Sequence, residues 1–365
     1  MRIIHSYLLK EFFSAFILAL SVLTFVMVLG NIIYLIGLVV SKGVSVLIIL
    51  QLFLYSLPYS IQFILPIAIM AGLLLSLGRL SSDNEIISIR SSGMSTLKVI
   101  LPFLVLGLIF TLFSILLHDR ITPQSHFKTR QLMQEIGSKN PAAALEPGIF
   151  INTFEKYIIF VYEINGNKFR NIRIYEPQGE DKPPRTIIAK RGEFITVPDQ
   201  NILKLKLIDG TSDEINPADP NNLYKINFHT YFMTLDFAKN KTNAPINKKP
   251  KDMTMRELWS EIHKLRKLKI YDGPIATELH KKIAISFSSI VFFLLGVPLG
   301  IITRRREKAA NIALAFLIVG LYFILTLFVE ALSKEGNLAP SSGMWIPNII
   351  FGSIGIYLSR KLCAF

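Results

Sequence analysis

The side chains best able to do chemistry in this 365-residue chain are dispersed, and they form no catalytic motif that we recognise. There is no Gly-x-x-x-x-Gly-Lys-Ser/Thr loop for nucleotide phosphates, no Gly-x-Ser-x-Gly and no His-Glu-x-x-His. The six histidines lack the spacing of metal ligands; they are His5, His118, His126, His229, His263 and His280. We therefore expect no catalytic residue, no metal and no cofactor in this chain.

A short polar segment, residues 81–93, has the pattern of a surface helix. Ser82 and Glu85 are spaced as in a capping box, and Gly93 is typical of the left-handed residue that follows a helix end. Three isoleucines lie between these signals, and a helix of two turns is stable only when it packs on another surface. The spacing leaves two surfaces open: lipid headgroups, or a groove on a cytoplasmic motor protein.

A second amphipathic helix is predicted before the fourth apolar segment. Thr254 and Glu257 fit a capping box, and the glycine–proline pair at 273–274 marks the end. An apolar stripe alternates with basic residues, which include Lys264 and Lys267. Such a helix beside a membrane span is typical of the interface. Its lysines either extend to water or contact the phosphates of an anionic lipid, and both interpretations stay open.

These elements are joined to six apolar segments that we predict to be transmembrane helices, because 51% of the residues are hydrophobic and they are clustered. The segments are residues 12–40, 46–77, 97–117, 283–302, 309–332 and 345–358. Pro58 and Pro66 predict a kink or a break in the second segment. Small residues at four-residue spacing, 68–76 in the second segment and 296–300 in the fourth, predict close helix packing. The first apolar run is too long for a cleaved signal peptide.

The distribution of basic residues predicts that both termini are cytoplasmic. With the N-terminus inside, the cytoplasmic loops hold eleven Lys and Arg residues, whereas the two short outer loops hold only Lys42 and Lys334. Six basic residues in 264–282 oppose this count, but long translocated segments follow the rule poorly. Much of the net charge of +14 therefore reflects topology, and we expect no nucleic-acid partner.

The predicted spans contain almost no ionisable groups. Glu330 lies near a helix end, where a charge is more often interfacial than functional. A proton-driven pump needs carboxylates or histidines deep in the membrane. The energy for any transport must therefore come from elsewhere, most simply from a partner protein.

The polar middle of the chain predicts a β domain. A polar helical stretch runs to about residue 137, and strands then follow at 157–164, 169–175, 186–189, 192–197, 203–207 and 223–236. Leucine and lysine alternate over 203–207, which predicts one buried face, and the pair at 209–210 predicts a turn. Short strands punctuated by Gly, Asn and Pro favour an antiparallel sandwich or jelly roll. The only cysteine is Cys363, so packing rather than disulfides must hold this domain.

Four stretches occur in an order that resembles a known family: residues 77–93, 253–258, 278–300 and 336–348. Together they resemble the LptF/LptG-type permeases of the lipopolysaccharide-export ABC transporter, over essentially the whole chain. The resemblance implies an α-helical membrane protein with six transmembrane helices and an inserted periplasmic antiparallel β domain that is jelly-roll-like.

The resemblance also implies a function. The chain would be a permease subunit in the bacterial inner membrane that extracts lipopolysaccharide and passes it to a periplasmic bridge, with lateral gates lined by the first and fifth spans. Its partners would be a cytoplasmic ATPase dimer that uses ATP, a homologous second permease and a single-span periplasmic accessory protein. The expected ATPase-coupling residues are Glu85, Ile86, Ile89, Arg90 and Gly93. The expected lipid-contact residues are Lys42, Lys264, Lys267 and Lys281.

We expect three regions. Residues 1–118 would hold spans one to three with a coupling helix near 82–93, residues 119–252 the periplasmic domain, and residues 253–365 the interfacial helix and spans four to six.

Two other functions are alternatives to the lipopolysaccharide permease. A permease of another lipid or lipoprotein ABC export system usually has its large outer domain between spans one and two. A membrane-embedded lipid-modifying enzyme would need a polar catalytic cluster at the membrane surface.

Overall fold

The computed structural model divides into two compact units. The helical unit comprises Met1–Asn31, Phe53–Thr129 and Lys248–Phe365, and the sheet unit comprises Ile32–Leu52 and Arg130–Asn247. The structure describes residues 2–42, 44–139, 148, 150–154, 157–165, 168–176, 185–197, 202–216, 219–235, 247–303 and 307–364. Statements below concern these residues.

Most of the described chain is helical. The helices are α1 (Arg2–Lys42), α2 (Val46–Ser82), α3 (Glu85–Ser91), α4 (Thr96–Leu116), α5 (Thr122–Lys139), α6 (Met255–Lys267), α7 (Gly273–Thr303), α8 (Lys308–Lys334), α9 (Pro340–Gly343) and α10 (Ile346–Ala364). A π-helical turn, Leu117–Ile121, joins α4 to α5, and a 3₁₀ turn, Pro250–Asp252, precedes α6.

Within the described part of the chain, five stretches of helix are long and apolar enough to cross a membrane: Ile3–Val40, Val46–Ser82, Thr96–Ile136, Gly273–Thr303 and Lys308–Lys334. They contain the first five predicted spans. The sixth predicted segment lies in α10, a helix of 19 residues that is not among the five. Helical structure is therefore confirmed there, and a sixth crossing stays a prediction.

Helices α2 and α7 form the centre of the helical unit, because 72% of the most apolar window of each is buried. Small residues make this packing possible. A Cβ atom on Gly300 would lie 2.9 Å from Cβ of Leu77, and one on Gly72 would lie 3.0 Å from Cα of Phe16. The close approach predicted from the small-residue spacing is thus confirmed. Of the two outcomes predicted from Pro58 and Pro66, a break is excluded because α2 continues through both residues, and a kink stays a prediction.

The two short amphipathic helices begin in different ways. At α6, Thr254 Oγ1 accepts a hydrogen bond from Glu257 N at 3.2 Å and Glu257 Oε2 accepts one from Thr254 N at 2.8 Å, which confirms the predicted capping box. At α3 the predicted capping box is wrong. Ser82 is the last residue of α2, and α3 follows Asn84, whose left-handed backbone (φ 59°) turns the chain without a side-chain cap. Gly93 has φ +88° after α3, as predicted.

Six antiparallel strands in sequential order form one sheet in the sheet unit. They are β1 (Phe150–Phe154), β2 (Tyr157–Asn165), β3 (Lys168–Glu176), β4 (Arg185–Val197), β5 (Ile202–Asn216) and β6 (Asp219–Leu235). Leu205 and Leu207 are buried between half-buried lysines, which confirms the predicted alternation. An antiparallel sheet inserted between helices is therefore confirmed, and its closure into a jelly roll stays a prediction.

The turn that we predicted at residues 209–210 is wrong, because strand β5 runs through both residues. Asp209 has φ +54°, and pairing with β6 resumes at Gly210. Its carboxylate lies 2.7 Å from Arg191 Nη2 and 2.6 Å from His229 Nδ1. The Arg191 hydrogen bond, followed by the contacts of His229, lowers the pKa of Asp209 below its ordinary value. Two cross-strand partners therefore hold an irregular residue inside the strand.

Candidate functional site

A cavity of about 240 Å³ lies in the helical unit among α2, α5, α7 and α8. One part of its wall is apolar and comprises Phe63, Ile285, Phe323 and Leu327. The remainder is polar and comprises Tyr59, Gln62, His118, Thr122, His126, Lys251, Glu278, Lys281, Lys282, Thr326 and Glu330. We name the end of the helical unit that holds this cavity the α6 end.

Glu330 is the central carboxylate of the cavity. It is only 6% exposed, and its oxygens lie 2.9 Å from Lys281 Nζ and 2.6 Å from Lys334 Nζ. Lys281 Nζ also lies 3.8 Å from Glu278 Oε2. Because carboxylates already pair with Lys281, any anion that binds this lysine must compete with Glu330 and Glu278.

The neighbouring Lys282 has a different environment. It is 6% exposed, and its ammonium group donates to the carbonyl oxygen of Met253 and, at 3.5 Å, to that of Lys251. A buried ammonium group needs hydrogen-bond acceptors, and two backbone carbonyl groups supply them here. Lys282 therefore attaches the segment before α6 to the start of the fourth span.

Two further contacts attach the same segment to the end of α4 and to α5. Asp252 accepts a hydrogen bond from His126 Nδ1, and Asp119 Oδ1 accepts one from Met255 N at 2.7 Å. Residues 119–126 precede the part of the chain that belongs to the sheet unit, and residues 249–255 follow it. We name the network of Asp119, His126, Asp252 and Lys282 the connection clamp. It joins the outgoing and returning segments of chain within the helical unit.

The predicted lipid-contact residues are not gathered in one place. Lys281 lines the cavity, whereas Lys264 and Lys267 lie on the exposed side of α6, where Lys264 Nζ is 3.1 Å from Glu261 Oε2. Lys42 ends α1 in the sheet unit, and its side chain lies outside the described part of the chain. On α6, Leu258 and Ile262 are buried against Ala276 and Leu279 of α7, so the lysines face away from the core.

The α3 end of the helical unit holds the predicted coupling residues. Ile86 is 2% exposed and belongs to the helical core, and Ile89 packs against that core. Ile87 is 40% exposed, and Gly93 is also exposed. The outward side of α3 therefore carries Ile87 rather than the isoleucines that we had expected to contact an ATPase.

Glu85 already has a partner in this chain. Its Oε2 accepts a hydrogen bond of 2.8 Å from the hydroxyl of Tyr7 on α1. One helical turn along α1, Glu11 Oε2 lies 2.6 Å from Arg79 Nη2 in the last turn of α2. Arg90, the fourth predicted coupling residue, is half-buried in the last turn of α3.

The sequence did not predict the roles of several of these residues. Glu330 was expected to be interfacial but is buried between two lysines. Lys282 was counted only as a basic flank. The available signal was the presence of ionisable residues inside or beside an apolar segment, because such residues need partners. Tyr7 and Glu11 carried a weaker signal: polar residues four apart share one face of a helix.

The comparisons with known proteins give the identity of the family. The family model described as "Lipopolysaccharide export system permease LptF/LptG" matches residues 6–361. The chain is 22% identical over 364 residues to the lipopolysaccharide export system permease protein LptF of Escherichia coli K12, covering 98% of this chain and 94% of that protein. It is 21% identical over 325 residues to the uncharacterized protein RP871 of Rickettsia prowazekii, covering 87% and 88%. The chain therefore belongs to the LptF/LptG family of lipopolysaccharide export system permeases.

Proposed function

We propose that this chain is a permease subunit of an ABC transporter that extracts lipopolysaccharide from the inner membrane and passes it to a periplasmic bridge. The observation that carries this proposal is the family match over residues 6–361, in a chain with five apolar helices and an inserted sheet. Family membership and these helices support a multi-pass inner-membrane protein. The family is one of transport permeases, so we assign ATP hydrolysis to a partner.

The proposed topology has both termini in the cytoplasm and the sheet in the periplasm. Residues 1–118 and 253–365 then form the membrane part, residues 119–252 form a jelly-roll-like periplasmic domain, and α10 is the sixth span. The basic loops support this orientation. It places α3 and its neighbours on the side where ATP is available.

We assign the contact with a cytoplasmic ATPase dimer to α3. The helix has seven residues and is followed by a left-handed glycine, so it ends in a tight turn. Ile86 is the inward anchor, and Ile87 is the apolar side chain that is offered to the partner. The other proposed partners are a homologous second permease and a single-span periplasmic accessory protein.

Lys42, Lys264, Lys267 and Lys281 all stay candidates for contact with the lipid, and the surroundings of the last three are described. Lys264 and Lys267 lie on the exposed side of α6, and the same helix carries Trp259, which is 58% exposed. Tryptophan and lysine together are typical of the membrane interface. Lys281 would take part only if an anionic group of the lipid displaced Glu330 from it.

The test uses the complete transporter, purified with its ATPase subunits and second permease and reconstituted in proteoliposomes that contain lipopolysaccharide and phospholipid. Transfer of lipopolysaccharide to the bridge protein and ATP hydrolysis are measured together. We expect ATP-dependent transfer of lipopolysaccharide, with phospholipid retained. Equal transfer of phospholipid, or transfer without ATP, would contradict the proposed function.

The same assay tests the role of α3. Ile87→Asp should weaken retention of the ATPase subunits about tenfold, because it places a charge at the centre of an apolar contact. Ile3→Asp is the matched control, since Ile3 is 85% exposed on α1 near the same end of the helical unit. Unchanged retention in Ile87→Asp would exclude the exposed face of α3 as the docking surface.

A further inference from the structure

Helix α1 is attached to the helical unit mainly through its first five turns. Only 17% of its most apolar window is buried, compared with 72% for α2 and α7. The residues that α1 contributes to the helical core are Leu8, Phe12, Phe16 and Ala19. A displacement of α1 must therefore originate close to these turns.

Two polar contacts join these turns to the segment around α3. The Tyr7 hydroxyl donates to Glu85 at 2.8 Å, and Arg79 pairs with Glu11 at 2.6 Å. Tyr7 and Glu11 are four residues apart and therefore lie on one face of α1. Their partners lie on either side of the tight turn at Asn84, one at the end of α2 and one at the start of α3.

Glu85 is well placed to hold α3 to α1. It occupies the first turn of α3, directly after the left-handed residue Asn84. The same carboxylate accepts the hydrogen bond from Tyr7, and a hydrogen bond to an ionised group is stronger than one between neutral groups. The next residue, Ile86, is buried in the core, so rotation of α3 about its axis is resisted.

We propose that Tyr7 is a positioning residue for energy coupling, because it links Glu85, and hence α3, to the first span. The inference rests on the proposed permease function and deepens it. Movement that a partner imposes on α3 reaches α1 through the Tyr7–Glu85 hydrogen bond and the Glu11–Arg79 pair. The importance of Glu85 then lies within this chain rather than in direct contact with the ATPase.

The test compares Tyr7→Phe with Glu85→Ala and with the double variant in the complete reconstituted transporter. Lipopolysaccharide transferred per ATP hydrolysed is the main measurement, and retention of the ATPase subunits is the second. Tyr7→Phe should lower the transfer ratio by about fivefold to tenfold, the factor that one solvent-exposed hydrogen bond of ordinary strength is worth. Retention of the ATPase subunits should not change. The double variant should be no worse than Glu85→Ala alone.

Two further variants control the test. Tyr357→Phe removes the hydroxyl of a tyrosine that is 65% exposed on α10 and should have no effect. Tyr7→Gln, whose amide can donate to Glu85, should recover part of the transfer ratio. Additive losses in the double variant, or a wild-type ratio in Tyr7→Phe, would overturn the inference while wild-type transfer upholds the permease function. If the wild-type complex transfers no lipopolysaccharide, the permease function itself fails.

Discussion

The two ends of the helical unit hold their ionic groups in opposite ways. At the α6 end, Glu330 and Lys282 are each only 6% exposed, and both have several polar partners. At the α3 end, the side chains of Arg79 and Glu11 are 49% and 28% exposed and form a single pair. Water screens the first arrangement less than the second, because the Glu330 side chain is 8% exposed although Lys281 and Lys334 are 21% and 41% exposed, so breaking the contacts of Glu330 is more costly. The α6 end is therefore built as a fixed point and the α3 end as an adjustable one.

Removing the central carboxylate should give the largest effect. Glu330→Gln leaves Lys281, whose side chain is 21% exposed, beside a neutral amide, and we expect a loss of about 2–3 kcal/mol of stability. Glu11→Gln at the α3 end should lose no more than about 1 kcal/mol, because its partner is half exposed. Thermal unfolding in detergent, followed by loss of the folded monomer, gives both values. Similar losses for the two variants would show that the two ends do not differ.

A second variant separates the charge from the packing. Glu330→Gln combined with Lys281→Met removes both members of the closest buried pair and should recover much of the stability that Glu330→Gln loses. If the double variant is as unstable as the sum of the two single variants, Glu330 acts through Lys334 and not through Lys281.

The connection clamp gives the next effect in size. Lys282→Met keeps the aliphatic stem but leaves the carbonyl groups of Met253 and Lys251 without their donor, at a cost of about 1–3 kcal/mol. Lys264→Met is the matched control, because its side chain is 68% exposed on α6. Hydrogen–deuterium exchange over residues 249–258 should quicken in Lys282→Met only. Unchanged exchange would mean that His126 and Asp119 hold the segment without Lys282.

The sequence predicted local features well and distant partners poorly. The capping box of α6 was predictable because Thr254 and Glu257 are three residues apart and need no other element. At α3 the same pattern was wrong, because α2 continues to Ser82 and Asn84 adopts the left-handed conformation that asparagine tolerates. The five long apolar helices and the alternating strand β5 also followed from periodicity.

The buried polar cluster could not be predicted for a physical reason. Glu330 is on α8 and Lys281 on α7, and nothing in either local pattern reveals that packing brings them within 2.9 Å. Likewise, the sequence pattern does not distinguish the three isoleucines of α3. Packing against the helical core determines that the side chain of Ile86 is buried and that of Ile87 is exposed. Side-chain roles at such places depend on contacts between helices that are distant in sequence.

The smallest effect concerns the start of α6, where the charge is local and partly exposed. Burial raises the pKa of Glu257, but the hydrogen bonds from Lys248 and Thr254 lower it by more than burial raises it. The pKa of Glu257 therefore lies below the ordinary 4.5. A carboxyl group whose folded-state pKa is depressed adds stability that is complete above pH 4.5 and is lost as the pH falls through the folded value.

Thr254→Ala removes the cap and should cost α6 about 1 kcal/mol at neutral pH. Because it also removes the hydroxyl contact with Glu257, hydrogen–deuterium exchange of α6 should become less dependent on pH between neutrality and the acid range. An unchanged pH profile in Thr254→Ala would assign the acid sensitivity to the Lys248–Glu257 pair, at 2.5 Å, and Lys248→Met should then remove it.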